Sequence, residues 1–227
     1  MDESCGVTSS SPPRHLPRWS DVAPLVAFRR PELSPTRRRL ANALTIDDLR
    51  TIARHRCPKA VFDYVDGAAS EEISLRRSRE VYAGLQFLPS VLHDVSEVDT
   101  SASVLGSRSE QPFAFAPTGF TRLMHHEGES AAARVAQRRG IPYALSTAGS
   151  SSIERIAELA PENAWFQLYI LKSDQLNDDL IARADAAGYE VLLVTVDVPI
   201  NARRLRNLRN NFALPLRYSP ALAFDPR

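Results

Sequence analysis

Four apolar runs in the second half of the sequence end in residues that can bind a ligand. These ends are Pro117-Thr118-Gly119, Ser146-Thr147-Ala148-Gly149, Gln167-Leu168-Tyr169 and Thr195-Val196-Asp197. Hydroxyl, amide, phenol and carboxylate groups supply hydrogen-bond donors and acceptors, and glycine lets a flat ligand approach the backbone. Such a set suits a heteroaromatic ring with several heteroatoms along its edge. Each residue could instead be a helix cap, a turn residue or a core residue, but the repetition at four ends favours a ligand site.

Arginines follow the fourth run more densely than elsewhere in the part of the chain that we expect to be ordered. They are Arg203, Arg204, Arg206 and Arg209. One arginine that points inward could bind a carboxylate through two parallel hydrogen bonds. The alternatives are a solvated loop and an unspecific anion site, and the spacing alone does not choose among them.

Several other kinds of site find no support in the sequence. No G-x-G-x-x-G follows a predicted strand, and there is no P-loop. The string His125-His126-Glu127 could suggest a metal site, but adjacent histidines do not project from one face of a regular element, so an exposed loop is the favoured interpretation. We therefore predict no metal site and assign no Ser–His–acid arrangement.

The four apolar runs alternate with amphipathic helical patterns, which is typical of βα units with parallel strands. The predicted strands cover about 113–118, 143–147, 164–169 and 191–197. Their continuous hydrophobicity predicts that both faces of each strand are buried. Two α/β architectures fit, a small doubly wound open sheet and half of a (β/α)₈ barrel, and both gather ligands at the carboxyl ends of the strands.

The N-terminal part divides into a tail and a helical segment. Residues 1–44 are rich in Pro, Ser and Arg and lack a hydrophobic period, so we predict a flexible tail whose Arg37–Arg39 run is solvated rather than bound to phosphate or lipid. Residues 45–85 have helical patterns that begin with Thr45 and Asp48, spaced as in a capping box. Residues 45–227 are then one domain.

The composition of the 227 residues limits the class of protein. The net charge of +1 disfavours nucleic-acid binding, and the two cysteines form no disulfide framework. No signal peptide and no transmembrane segment are evident. We expect a cytoplasmic protein, with peripheral attachment to a membrane as the alternative.

Five strings, in order along residues 45–215, resemble one enzyme family. They are KAVFDYVDGAASEE, FAPTGFTRLMHHEGE, GIPYALSTAGSSSIE, WFQLYILK and VTVDVPINARRLRNLRNNF. The family is that of the FMN-dependent α-hydroxy-acid oxidases and dehydrogenases, which includes glycolate oxidase, L-lactate dehydrogenase and mandelate dehydrogenase. The resemblance implies a (β/α)₈ TIM barrel, of which this chain would be the first half with four βα units after an N-terminal helical segment.

The resemblance also implies a role for particular residues. It implies that the substrate, a small 2-hydroxy acid, contacts Tyr64, Tyr169 and Arg204, and that the cofactor FMN contacts Pro117, Thr118, Gly119, Ser146, Gln167 and Thr195. Gly119 stands where the oxidases tend to carry alanine, which favours a dehydrogenase that passes electrons to an acceptor other than oxygen.

One departure from the family bears on activity. The family's proton-accepting histidine, with its partner arginine, belongs to later strands and to the string S-N-H-G-G-R-Q, which this sequence lacks. We therefore name no catalytic residue and expect no activity from the chain alone. Two hypotheses follow: a truncated or split 2-hydroxy-acid dehydrogenase, or a non-catalytic half-barrel that binds flavin weakly and pairs with a complementary half or with itself.

Overall fold

The computed structural model describes residues 32–197, 200 and 202–213. The chain forms two compact units, one that ends at Ile52 and one that begins at Ala53. The first contains helix α1 (Pro35–Ala41), although the sequence predicted a flexible tail over 1–44. Local signals explain this helix, because Pro35 occupies its first turn and the Ser34 side chain accepts a hydrogen bond from the Arg37 amide. The prediction for residues 1–31 lies outside the described residues.

Three further helices occupy the segment 45–85, and turn chemistry separates them. Helix α2 (Ile46–Arg56) begins with a reciprocal pair, in which Thr45 N donates to Asp48 Oδ2 at 2.8 Å and Asp48 N donates to Thr45 Oγ1 at 3.1 Å. Helix α3 (Lys59–Asp66) follows Pro58 and ends at Gly67, and helix α4 (Ile73–Ala83) comes next.

An extended stretch and a hairpin follow the helices. Strands β1 (Ala102–Val104) and β2 (Ser107–Ser109) pair in antiparallel register around Leu105 and Gly106, which both have positive φ. The extended stretch before the hairpin leaves large apolar side chains almost fully exposed: Phe87, Leu88 and Leu92.

The second unit is built around a parallel sheet in the order β3-β4-β5. Its strands are β3 (Tyr143–Ser146), β4 (Ala164–Tyr169) and β5 (Val191–Thr195). The helices α5 (Gly128–Arg139), α6 (Ile153–Leu159) and α7 (Asp174–Ala186) alternate with these strands in the sequence. The fold is therefore α/β with repeated βα units, and the side chains of Leu145, Ile156 and Phe166 lie at the centre of its core.

The first predicted strand, at 113–118, forms only an isolated parallel bridge between Phe115 and Tyr143. Phe115 N donates to Pro142 O at 2.8 Å, and Ala144 N donates to Phe115 O at 3.0 Å. The ladder does not extend toward Pro117, which has no amide hydrogen. It does not extend backward either, because Phe113 N donates to Gln111 O within a turn.

The prediction that both faces of every strand are buried holds for β3 and β4 but is wrong for β5. Leu192 and Val194 point to the same face of β5 and are 42% and 46% exposed. Among the described residues β5 pairs only with β4, so one edge of this strand has no partner there, and its apolar face is only partly covered.

None of the described helices is long and apolar enough to cross a membrane.

Candidate active site

A row of hydrogen-bonded side chains crosses the carboxyl ends of the three parallel strands. Ser146 Oγ on β3 donates to Gln167 Oε1 on β4 at 2.9 Å, and Gln167 Nε2 donates to Thr195 Oγ1 on β5 at 2.8 Å. Ser146 and Gln167 are buried, and Thr195 is half-buried. These are three of the residues predicted from the sequence, and the sheet register brings them together.

Thr147, the residue after β3, is occupied by the sheet itself. Its hydroxyl donates to Gln167 O at 2.6 Å and accepts from Tyr169 N at 3.0 Å. Both hydrogen-bonding functions of this hydroxyl therefore hold the ends of β3 and β4 together. Tyr169 lies at the end of β4 and is 40% exposed.

The predicted residues Pro117, Thr118 and Gly119 lie in the loop that packs beside the end of β3. Pro117 and Thr118 are exposed, while Gly119 is half-buried. A Cβ on Gly119 would come within 2.8 Å of the Ala148 Cβ, so only glycine allows this approach between the two loops. The Phe120 amide donates to Ala148 O at 2.9 Å and fixes the contact.

Tyr64 and Arg204, both predicted to bind substrate, form a second group. The Arg204 guanidinium lies over the Tyr64 ring, with its Cζ at 5.0 Å from the ring centroid, and it also donates a hydrogen bond to Gly67 O. The Tyr64 ring also packs beside Phe212, whose ring centroid is 5.0 Å from that of Tyr64. The structure thus brings an arginine and a phenol together from segments 140 residues apart in the sequence (204 − 64).

A cluster of charges next to this pair was missed by the sequence analysis. Arg206 Nη1 lies 2.9 Å from Asp66 Oδ2 and 3.7 Å from Asp63 Oδ1, and Arg206 Nη2 lies 2.7 Å from Glu72 Oε2. The hydrogen bond from Arg206 is the main cause that lowers the pKa of Glu72. The available signal was the run of acids in DYVDGAASEE opposite the run of arginines after β5, but nothing in the spacing pairs them.

Glu129, at the start of α5, was also missed because an acid in a first helical turn is usually solvated. It is fully buried, and its carboxylate accepts from Ser150 N at 2.6 Å and Ser151 Oγ at 3.1 Å. Burial raises its pKa, but these hydrogen bonds, with that from its own backbone amide, outweigh burial and leave the pKa below the ordinary value. Glu129 therefore holds the loop after β3 as a carboxylate.

His125 and His126 lie in an exposed segment with ring centroids 4.3 Å apart. The described residues contain no group of three or more His, Cys, Asp or Glu side chains that could hold a metal ion.

Known proteins resemble this chain over most of its length. Residues 53–227 match the family described as FMN-dependent dehydrogenase. A Mycobacterium tuberculosis protein with an ascribed L-lactate dehydrogenase activity is 47% identical over 203 residues, which are 89% of this chain and 49% of that protein. The (S)-mandelate dehydrogenase of Pseudomonas putida is 36% identical over 184 residues, which are 81% of this chain and 47% of the enzyme.

The fold has solved counterparts. A crystal structure of mandelate oxidase with benzoyl-formic acid superposes with a TM-score of 0.73 at 40% identity, and the match covers 77% of this chain and 52% of the oxidase. The chain thus spans about half the length of the curated relatives it matches. Family match and structural similarity agree, and the chain belongs to the FMN-dependent dehydrogenase family.

Proposed function

We propose that this chain supplies the flavin-facing and carboxylate-binding residues of an FMN-dependent enzyme that oxidises a small 2-hydroxy acid to the 2-oxo acid. The observation that carries the proposal is the row Ser146–Gln167–Thr195 across the carboxyl ends of the parallel strands. Ligands of parallel α/β folds bind at these ends, and the row is polar where the strands are otherwise apolar.

The donors of this row fit the edge of a flavin ring. Gln167 Nε2 carries two hydrogens and uses one of them on Thr195, while Thr195 Oγ1 accepts that bond and keeps its own hydrogen. The row therefore presents one amide N–H and one hydroxyl donor to a ligand with acceptors along its edge. Ser146 holds the Gln167 carboxamide in place, and Pro117, Thr118 and Gly119 would lie along the ring. The chemistry that FMN supplies when bound is acceptance of the two electrons released by the hydroxy acid.

The pair of Arg204 and Tyr64 supports recognition of a carboxylate. A guanidinium has five N–H donors, and the hydrogen bond to Gly67 O leaves others for a ligand. A phenol adds one neutral donor, and the exposed ring of Tyr169 offers a second. We propose that Arg204 and Tyr64 bind the carboxylate of the 2-hydroxy acid and that Tyr169 faces the same substrate.

No proton acceptor is assigned within the chain. His55, His93, His125 and His126 lack the surroundings that the family resemblance gives to the base, and His15 lies outside the described residues. A positioned general base contributes about 10²- to 10⁴-fold to the rate. We therefore expect turnover only when a second component supplies this base, and we propose that electrons then pass to an acceptor other than oxygen.

A titration of the 227-residue chain with FMN tests the cofactor assignment. We expect saturable quenching of flavin fluorescence. Thr195→Val should weaken FMN binding about fivefold, which corresponds to one hydrogen bond of about 1 kcal/mol. Thr147→Val is the matched control: it should lower the free energy of unfolding by about 1–2 kcal/mol through the lost bonds to β4, and it should leave FMN affinity unchanged. Absence of binding, or equal affinity of the wild type and Thr195→Val, would contradict the assignment.

An activity assay separates the remaining parts of the proposal. The chain with FMN should reduce no dye with lactate, mandelate or glycolate. Addition of the C-terminal half of a family enzyme, such as the Pseudomonas putida (S)-mandelate dehydrogenase, should restore dye reduction without oxygen consumption. Oxygen consumption in place of dye reduction would make the assembly an oxidase, and turnover by the chain alone would refute the need for a second component.

The second candidate function is a non-catalytic half-barrel that pairs with a partner. The exposed face of β5, with Leu192 and Val194, favours it. Light scattering at several concentrations tests this candidate, because a monomer at all concentrations would argue against pairing with itself.

A further inference from the structure

The Arg206 cluster joins the segment after β5 to two N-terminal helices. Arg206 lies in helix α8 (Leu205–Arg209), Asp63 and Asp66 belong to α3, and Glu72 is the residue before α4. The side chains of the three acids are between 8% and 18% exposed, and that of Arg206 is 32% exposed. Removal of one partner from an ion pair that is largely buried costs far more stability than removal of one partner from a surface ion pair.

The cluster also holds an unusual backbone conformation. Glu72 has φ 58 and ψ 26, in the left-handed region that few non-glycine residues adopt. Its Oε2 accepts a hydrogen bond from Arg206 Nη2 at 2.7 Å, and its Oε1 accepts one from Ala68 N at 3.2 Å. These two contacts of the Glu72 side chain fix the turn between α3 and α4. The same turn includes Gly67, whose carbonyl oxygen accepts the hydrogen bond from Arg204.

Other contacts place the rest of the segment on α3 and the following turn. Ser70 N donates to Arg203 O at 2.8 Å, and Asn210 Nδ2 donates to Asp63 Oδ2 at 2.7 Å. Helix α8 has only five residues, and helices shorter than about 12 residues are marginal without tertiary contacts. The position of Arg204, one residue before α8, therefore depends on how α8 is anchored.

We infer that Arg206 is a positioning residue: its bonds to Asp63, Asp66 and Glu72 hold Arg204 over Tyr64, so that the carboxylate-binding pair exists before substrate arrives. This inference rests on the proposed function of Arg204 and Tyr64. Pre-organisation of this kind saves the ordering cost that a loose arginine would incur on binding. Removal of Arg206 breaks the ion pairs that join α8 to α3 and to the residue before α4, so fewer contacts hold α8 on α3.

Limited trypsin digestion of Arg206→Gln and Arg209→Gln tests the inference without any ligand. Trypsin cleaves after arginine, and the bonds after Arg203 and Arg204 remain in both variants. We expect cleavage at these bonds to be about tenfold faster in Arg206→Gln than in the wild type, since a segment that leaves its anchor becomes accessible. Arg209 is exposed and lies in the same helix, so Arg209→Gln should match the wild type. Equal cleavage rates in the two variants and the wild type would overturn the inference.

A binding measurement separates this inference from the proposed function. If the wild type binds mandelate, Arg206→Gln should weaken that affinity about tenfold, Arg206→Lys should restore part of it, and FMN affinity should not change. Loss of both affinities would indicate general unfolding and overturn the inference. Equal mandelate affinity in the wild type and Arg206→Gln would also overturn it and leave the proposed function intact. A wild type that binds no mandelate, together with faster cleavage of Arg206→Gln, would refute the carboxylate site and support the anchoring role of Arg206.

Discussion

At the scale of single residues, Glu129 shows how a buried charge can be held by neutral donors. Two of the hydrogen bonds to its carboxylate come from the Ser150 amide and the Ser151 hydroxyl, on the loop after β3. A carboxylate accepts at both oxygens, whereas an amide at the same place presents an N–H₂ group to one of these donors. Glu129 therefore orders the loop that carries Thr147 and Ala148 beside the candidate site.

Glu129→Gln should lower the free energy of unfolding at neutral pH by about 1–3 kcal/mol, because it leaves a buried donor without its acceptor. Urea unfolding of the wild type and the variant measures the difference. Glu158→Gln is the matched control: Glu158 bonds Arg155 at 2.7 Å on the surface of α6 and its side chain is 64% exposed, so this change should cost less than about 0.5 kcal/mol. An equal effect of both substitutions would contradict the assigned role.

The stability of Glu129→Gln relative to the wild type should also depend on pH. The folded-state pKa of Glu129 lies below its ordinary value of 4.5, so the carboxylate stabilises the folded state fully above that value and progressively less as the pH falls through the lower, folded-state pKa. The stability difference between the wild type and Glu129→Gln should therefore be constant near neutral pH and shrink in acid. A difference that grows as the pH falls would mean that the carboxyl is neutral in the folded protein.

The candidate site could be predicted only in part from the sequence, and the reason is the distance between partners. Ser146, Gln167 and Thr195 could be named because each ends an apolar run, and parallel strands bring such ends together. Arg206 and Glu72 are 134 residues apart, so neither residue carries a local signal of the other. Tyr64 was named through the family resemblance alone, and the resemblance singled out Arg204 among four candidate arginines, so the roles of both remain proposals.

At the scale of elements, local capping signals decide where the helices begin. Ser152 precedes α6, and its side chain accepts a hydrogen bond from Arg155 N at 3.2 Å. Ser173 does the same for α7 with Leu176 N. Helix α6 buries Ile153 and Ile156 against the core, so a change in its first turn also affects how these two side chains pack.

Ser152→Ala should lower the free energy of unfolding by about 1 kcal/mol through loss of the cap. Ser78→Ala provides the control, because Ser78 lies inside the exposed helix α4 and its hydroxyl donates back to Ser74 O at 2.9 Å. Alanine favours a helix interior more than serine, so this control should be neutral or slightly stabilising. Thermal unfolding of both variants checks the pair, and an unchanged midpoint for Ser152→Ala would show that the cap contributes nothing.

The strands were harder to predict than the helices, because their pairing depends on neighbours outside the local sequence. The run from Phe113 has the composition of a strand, but Pro117 and a turn at Gln111 restrict it to one bridge. The run at β5 also has the composition of a buried strand, yet Leu192 and Val194 are exposed because the described elements cover that face only in part. The hydrophobic pattern therefore predicted which residues are suited to burial. It did not predict which of them the fold actually buries.

At the scale of the whole molecule, exposed apolar surface sets the expectation for assembly. A strand edge with free backbone groups beside an apolar face is a site for pairing with another chain. Within the described part of the chain, β5 has such an edge, with Leu192 and Val194 on its apolar face. The almost fully exposed Phe87 and Leu92 add apolar surface before the hairpin. Relatives about twice as long have further chain that can cover such a face, which is why we propose a complementary half as the second component.

The double substitution Leu192→Lys and Val194→Lys should abolish pairing through β5 and leave the fold intact. Both side chains are more than 40% exposed, so the charges stay in water and should change the free energy of unfolding by less than about 1 kcal/mol, whereas charges on an edge strand oppose pairing with a second strand. Light scattering should show concentration-dependent association of the wild type and a monomer for the variant. The variant should also fail to recover dye reduction with the complementary half.

Val81→Lys, an exposed site on α4, controls for added charge and should behave as the wild type. If the double variant and the wild type associate equally, the contact is made elsewhere, because an association that covers positions 192 and 194 would bury two lysine charges without partners.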